Sequence, residues 1–255
     1  MSSVMKHVPW HEVLFTQGFG TRRVCWGLIE QGRVQVWAGD VWRLLEDPHE
    51  EVVPTEGLQF RVMNQDWLYH ARAYLVLHKP AGVECSHKPG RWPSVYSLLP
   101  TPLRQRPASG AVQGVQAVGR LDQDTTGLLL FSDDGAFIHR MASPKHHVPK
   151  VYQIRTASAL TPAVADALLQ GVRLHDEPKP VRAAAASITG QHSLDLTLME
   201  GKYHQVKRML AAVGHEVVQL HRSRMGGFVL PADLAPGKWR WLTPSERALV
   251  ALKTP

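Results

Sequence analysis

The chain has 255 residues, 44% of them hydrophobic, which is enough for one or two globular domains with buried cores. Its apolar runs are far shorter than the roughly 20 residues of a membrane-spanning helix, and its first residues lack the apolar stretch of a secretory signal, so we expect a cytoplasmic protein without a membrane span. The formal net charge of +7 favours a polyanionic partner. Acidic residues outnumber basic ones in residues 1–72, so the positive excess lies in the rest of the chain.

The N-terminal residues 1–65 are expected to form a small separate module of short helices, a strand and a turn. Val34 and Val36 alternate with polar neighbours, as in a half-buried strand, and a turn follows at residues 38–40. A polar stretch at residues 66–73 is expected to be a linker. The sequence therefore predicts a second domain over residues 74–255.

That second domain begins with a strand pattern at residues 74–77, which ends at Pro80 and Gly82. Residues 86–92 and 104–114 mix basic residues with Pro, Gly and Ser, a composition typical of exposed loops. These loops contact RNA or are merely solvated; their composition does not distinguish the two.

Three later elements are marked by their end signals or their periodicity. Thr161, Pro162 and Gly171 bracket a predicted helix, and the alternation over residues 192–199 predicts a half-buried strand. Apolar residues then recur at helical spacing from Val206 until a glycine stop. Strand, turn and helix in succession predict an α+β architecture.

The segment richest in candidate catalytic side chains is GRLDQDTTG, residues 119–127, immediately before the apolar run 128–131. Reactive side chains on a loop against a rigid strand suit catalysis. On local chemistry alone, the favoured explanation of Asp122 and Asp124 is that they cap a turn, the common role of aspartate beside glycine.

The longer segment GRLDQDTTGLLLFSDDG resembles the signature of the pseudouridine synthases of the RsuA and RluB/E/F group. The segments HKPAG at 78–82 and SPKHHVPKVYQI at 143–154 fall in the order and spacing of that group. EGKYHQVKRMLAAVGHEVVQLHRSRMGGFVL, at 200–230, completes the set and is more similar to the RsuA branch, which modifies small-subunit ribosomal RNA. The resemblance covers about residues 74–245.

This resemblance implies a catalytic domain built on a mixed, largely antiparallel β-sheet flanked by helices and loops. It also implies isomerisation of uridine to pseudouridine in 16S ribosomal RNA with Asp122 as the catalytic residue, acting as nucleophile at C1′ or as base at C2′. Tyr152 matches the family's stacking tyrosine, although alternation alone favours a core strand residue on the same face as Ile154. Lys207 matches the basic residue that pairs with the aspartate; locally it could equally be a solvated lysine.

The resemblance also guides the assignment of RNA-binding residues. Arg120, Arg222 and Arg224 are expected to contact phosphate or brace the Asp122 loop. The other cations expected to contact RNA in the catalytic domain are Lys79, Lys202 and Arg208. Residues 17–23 and 31–36 resemble, more loosely, an S4-type RNA-binding module, in which Arg22, Arg23 and Arg33 would form a phosphate patch. A purely structural role of this degenerate module is the alternative.

The isomerisation needs no redox change or phosphate donor, so no cofactor is expected. The adjacent histidines at 146 and 147 form no HxxxH or HExxH pattern, so no metal is expected. The expected partner is ribosomal RNA or a small-subunit assembly intermediate, bound by a monomer. The alternative functions are a synthase for large-subunit (23S) RNA and a non-catalytic RNA-binding or ribosome-assembly factor. A glycoside hydrolase using Asp122 and Asp124 is more remote, since nothing matches such enzymes' motifs.

Overall fold

The computed structural model describes residues 6–108 and 112–252. The chain divides into two compact units: Met1–Ala73 together with Leu99–Gln116, and Tyr74–Leu98 together with Ala117–Pro255. Residues 109–111 of the loop expected at 104–114 lie outside the described residues. In the part of the chain that is described, no helix has the length and apolar character needed to cross a bilayer.

The first unit contains helices and short antiparallel strands. Its four-stranded sheet has the order β3-β2-β5-β6, and β1 pairs with β4. Trp10, Leu14, Ile29 and Phe60 are buried at the core between helices and sheet. The elements are β1 (Val8–Pro9), α1 (Trp10–Thr16), α2 (Arg22–Glu30), β2 (Val34–Trp37), β3 (Trp42–Leu44), β4 (Glu51–Val52), β5 (Gln59–Val62), β6 (Gln65–Leu68) and α3 (Thr101–Gln105).

The first unit differs from the expected division in two ways. Strand β6 occupies part of the expected linker 66–73, because Met63 and Asn64 adopt positive φ angles of 48° and 64° and close a tight hairpin with β5. The segment Leu99–Gln116 also belongs to this unit rather than to the second. Its Arg106 is buried and donates hydrogen bonds to Gln17 Oε1 at 2.9 Å and to the His70 carbonyl at 2.7 Å.

The second unit is built on a mixed sheet with the order β11-β12-β10-β13-β9-β7-β15. Every neighbouring pair in this order is antiparallel except β13 and β9, which are parallel. This confirms the predicted mixed, largely antiparallel sheet. The remaining strands are β7 (Tyr74–Lys79), β8 (Gln116–Ala117), β9 (Thr126–Ser132), β10 (Lys150–Thr156), β11 (Ala185–Gly190), β12 (Ser193–Leu198), β13 (Val217–Met225), β14 (Phe228–Val229) and β15 (Trp239–Trp241).

Two helices of this unit were predicted from the sequence. The expected helix before Gly171 and the expected helix before Gly214 are both present, and each of these two glycines has a positive φ. The α-helices are α4 (Gly135–Ala142), α5 (Pro162–Gln170), α6 (Gln205–Ala212) and α7 (Pro244–Val250), and two short 3-10 helices span Val95–Leu98 and Pro144–His146.

Strand β9 lies in the interior of the sheet between β13 and β7, and its residues 128–131 are fully buried. Gly127 at its start has φ +106°, and a Cβ atom there would lie 2.3 Å from the carbonyl oxygen of Arg222 on β13. Only glycine permits this backbone approach. The close contact places the loop that precedes β9, residues 119–125, directly beside β13.

Helix α7 is stabilised at its N-terminus by a capping box formed by Thr243 and Glu246. The same carboxylate accepts two hydrogen bonds from Arg240, at 2.9 and 2.7 Å. The hydrogen bond from Arg240 is the main cause that lowers the pKa of Glu246 to about 2.

We expect Glu246→Gln to lower the free energy of unfolding by about 1–2 kcal/mol, because the cap and a charge-assisted pair are both weakened. Because the pKa of Glu246 is lower in the folded protein than in the unfolded chain, the stabilisation by its carboxylate is present above about pH 4.5 and is lost as the pH falls towards 2. Urea unfolding at several pH values measures this. A difference in free energy of unfolding between wild type and Glu246→Gln that is constant from pH 7 to pH 3 would contradict this prediction.

Candidate active site

The loop 119–125 is held in place by the side chain of Lys79, the last residue of β7. Its Nζ donates to the carbonyls of Thr125 at 2.8 Å, Gln123 at 3.1 Å and Pro80 at 3.1 Å. Gly82 N also donates to the Gln123 carbonyl at 2.8 Å. Lys79 is fully buried, and burial lowers its pKa. The expected RNA contact of Lys79 is therefore wrong: its ammonium group is enclosed by the loop that carries Asp122.

Asp122 is partly exposed on this loop and lies near two basic side chains of a different segment. Its Oδ2 is 3.6 Å from Lys207 Nζ, and its Oδ1 is 3.3 Å from His204 Nε2. The predicted neighbourhood of Asp122 and Lys207 is thus present. The distance to Lys207 is an ion-pair distance rather than that of a hydrogen bond.

Lys207 makes its hydrogen bonds to Asp124. The ammonium group donates to both carboxylate oxygens of Asp124, at 2.6 and 2.8 Å. Burial alone would raise the pKa of Asp124, but the hydrogen bond and charge of Lys207 together lower it. The structure therefore gives Asp124 a role beyond the turn cap considered from sequence, because it holds the lysine beside Asp122.

His204 is one of the residues of this site that sequence reasoning missed, together with Thr125 and Lys150. It is the residue before α6 and has a left-handed backbone, with φ +45°. Its ring stacks on Tyr203, with centroids 3.9 Å apart, and the Tyr203 side chain is largely exposed. The spacing of three residues between His204 and Lys207 could have indicated that both face the same loop.

A cleft of about 660 Å³, including its open mouth, adjoins Asp122. Tyr152 of β10 lines it and is only 8% exposed. Tyr152 is the register partner of Arg222 on β13, so both side chains lie on the same face of the sheet. The cleft thus combines the carboxylate of Asp122, an aromatic ring and buried cations.

Two buried cations line the inner part of this cleft. Arg222 is 3% exposed, and its Nε donates to the carbonyl of Leu128 on β9 at 2.8 Å. Of the two roles expected for Arg222, the structure shows bracing, here of the strand that follows the Asp122 loop. Lys150 is 5% exposed, and burial, followed by the charge of Arg222, lowers its pKa to about 8.

The other cations expected to contact RNA differ in their surroundings. Lys202 forms an ion pair with Glu177, and Arg208 forms one with Asp176. Arg120 is exposed at the mouth of the cleft, whereas Arg224 is half-buried on β13. RNA contact by any of them stays a prediction.

In the first unit, Arg22 pairs with Glu12 and lies over the Phe15 ring at 4.0 Å, while Arg23 and Arg33 are exposed. Arg22 is therefore already engaged, and Arg23 and Arg33 are the more accessible members of the predicted patch. Among the described residues of the whole chain, no group of three or more His, Cys, Asp or Glu side chains is arranged to hold a metal ion.

The family model described as RNA pseudouridylate synthase matches residues 73–212, more than half of the chain. The chain belongs to the RNA pseudouridylate synthase family. The matched range contains Asp122, Tyr152 and Lys207.

Relatives within the family match the sequence of this chain over most of their own length. The chain is 43% identical over 181 residues to the ribosomal small subunit pseudouridine synthase A of Escherichia coli K12, covering 71% of this chain and 75% of the relative. It is 41% identical over 199 residues to the protein of the same name from Pasteurella multocida, covering 78% and 82%. A solved structure described as a pseudouridylate synthase superposes with a TM-score of 0.64 at 30% identity, covering 95% of this chain and 99% of that one.

Proposed function

We propose that this enzyme converts one uridine of small-subunit ribosomal RNA to pseudouridine, with Asp122 as the reacting carboxylate. The observation that carries the proposal is the position of Asp122 at a cleft that also contains Tyr152, with Lys207 and His204 within 4 Å of its oxygens. The choice of RNA is supported by the relatives at 41–43% identity, which are named ribosomal small subunit pseudouridine synthase A.

The reaction breaks the N1–C1′ bond of uridine, turns the base and joins C5 to C1′. An ionised carboxylate beside the sugar serves either as nucleophile at C1′ or as base towards the C2′ proton. Lys207 and His204 orient Asp122 for both, and Asp124 keeps the lysine in place. Because the target base must leave its stack to reach the cleft, an aromatic ring and cations around it suit the flipped nucleotide.

We propose that Tyr152 stacks on this base. Tyr152→Ala is then expected to lose roughly 1–3 kcal/mol of base-stacking free energy and to lower the single-turnover rate accordingly. Tyr152→Phe keeps most of the ring contact and most of the activity. Tritium release from RNA labelled with [5-³H]uridine measures both. Equal activity of wild type, Tyr152→Phe and Tyr152→Ala would remove the ring from the site.

We propose that the first unit is an S4-like module that contacts RNA through Arg23 and Arg33, both exposed. We also propose that the enzyme acts in the cytoplasm as a monomer, on naked RNA or on an assembling small subunit. The acidic excess of residues 1–72 limits the module to a local phosphate patch rather than a broad basic surface.

The decisive experiment deletes the gene and maps pseudouridines across both ribosomal RNAs. Loss of one site in small-subunit RNA, restored by the wild-type gene and not by Asp122→Asn, is the expected result. Loss of a site in large-subunit RNA would overturn the choice of substrate. An unchanged map, together with no tritium release by the purified protein, would favour a non-catalytic binding factor.

A further inference from the structure

Three buried polar side chains line the inner part of the cleft, and none of their described hydrogen bonds joins one of them to another. Arg222 Nη2 and Thr125 Oγ1 have no hydrogen-bond partner among the described residues, and their side chains are 3% and 1% exposed. Lys150 Nζ, in the same cleft, donates to the Val148 carbonyl at 2.8 Å. An ammonium group has three donors, so it can donate further.

These groups are held together by the sheet. Lys150 and Tyr152 are two positions apart on β10 and therefore point to the same face. Arg222 lies opposite Tyr152 on β13, and Thr125 directly precedes β9. Two buried cations beside each other cost free energy, as does an unpartnered buried hydroxyl. A fold that retains all three in one cleft fits a ligand that supplies the missing partners.

The chemistry of the three groups matches one edge of the uracil ring. That edge presents an acceptor, a donor and an acceptor, which are O2, N3–H and O4. Arginine and lysine offer only donors, whereas a threonine hydroxyl can also accept. We propose that Arg222, Lys150 and Thr125 form a subsite that binds the carbonyl oxygens and the imide N–H of the flipped uracil ring. The inference rests on the proposed function and adds to it how the base is held.

The same subsite has a consequence for bond breaking. When N1–C1′ cleaves, the bonding electron pair stays on the base, which becomes an anion with charge spread over N1 and the carbonyl oxygens. The fixed cations stabilise this charge in a site shielded from water. An electron pair of the base then forms the C5–C1′ bond. C5 loses its proton to solvent and N1 gains one, so atoms and charge balance.

Thr125 provides the sharpest test, because its hydroxyl makes no hydrogen bond within the described structure while its backbone does. Thr125→Val keeps the shape and removes the hydroxyl; Thr125→Ser keeps the hydroxyl. We expect Thr125→Val to lower the single-turnover rate of tritium release from [5-³H]uridine-labelled small-subunit RNA by about threefold to tenfold. Its Tm should be equal to or above that of wild type, and Thr125→Ser should stay within about twofold of wild type.

Three results would overturn the inference. A wild-type rate in Thr125→Val would remove the hydroxyl from base binding. A fall in Tm that parallels the fall in rate would assign Thr125 a structural role. An inactive wild-type protein would overturn the proposed function and this inference with it, so the two failures are distinguishable.

Lys150 adds a second readout. The charge of Arg222 acts on it directly, and the other titratable groups that line the same cleft are Asp122 and Arg120 from the loop, Tyr152 from β10, and Lys202 and His204 before α6. Because burial lowers its pKa to about 8, its charge and its contribution should be lost as the pH rises through that value. We expect the wild-type rate to decline there, and we expect Lys150→Met to be slower by about tenfold to a hundredfold at pH 7 and to lack that decline. An unchanged profile in Lys150→Met would contradict the inference.

Discussion

Replacing Asp122 by Asn is expected to reduce the single-turnover rate by at least roughly a thousandfold, about 4 kcal/mol of transition-state stabilisation. The amide cannot act as nucleophile or base, yet it has the size of the carboxylate. The hydrogen bonds of Lys207 go to Asp124 and not to Asp122, so the ion pair that shapes the site survives. Binding of the RNA and the Tm should therefore remain close to wild type.

Asp124→Asn is the matched control for this experiment. It removes the carboxylate that holds Lys207 but leaves Asp122 intact, so we expect a smaller loss of rate, about tenfold to a hundredfold. If Asp122→Asn retained appreciable activity, or if Asp124→Asn were the more damaging of the two, the reacting carboxylate would have to be reassigned.

Replacing Lys79 by Met is expected to lower the free energy of unfolding by about 3 kcal/mol, because buried carbonyls of the Asp122 loop lose their common donor. Part of this loss is offset, since the burial cost of the ammonium group disappears too. The loop then loses its anchor, and the rate of conversion should fall with the stability. Urea unfolding and tritium release on the same preparation measure both effects.

The control for Lys79 is Lys238→Met, at an exposed lysine of the same unit. It should leave both stability and rate unchanged within error. A Lys79→Met protein as stable and as active as wild type would show that the loop is held by its other contacts, such as the hydrogen bond from Gly82.

Elements whose side chains repeat at a regular spacing could be predicted from the sequence. The strand at residues 192–199 and the amphipathic helix α6 were recognisable because burial of one face imposes a local period, and the helix that ends before Gly171 was recognisable from the residues that begin and end it. The hairpin at Met63 and Asn64 was not, since its first position carries a residue that rarely adopts a positive φ.

Within the site, the residue types and the neighbourhood of Asp122 and Lys207 were predictable, but the hydrogen-bond partner of Lys207 was not. The motif around Asp122 and the resemblance identified the residues that meet at the cleft, but the partner of Lys207 depends on distances between segments far apart in sequence. The predicted RNA contact of Lys79 was wrong for the same reason. A lysine beside proline and glycine indicates an exposed loop, and only the tertiary structure encloses its ammonium group among carbonyls.

The parallel contact between β9 and β13 also bears on how the enzyme folds. Thr126 and His221, joined by a hydrogen bond of 2.9 Å, are 95 positions apart in the chain. The cleft therefore depends on contacts of long sequence separation, which form slowly because the intervening chain must first be ordered. During synthesis, the Asp122 loop emerges long before the strand that carries Arg222. The enzyme acquires its active site only when the last third of the chain has joined the sheet.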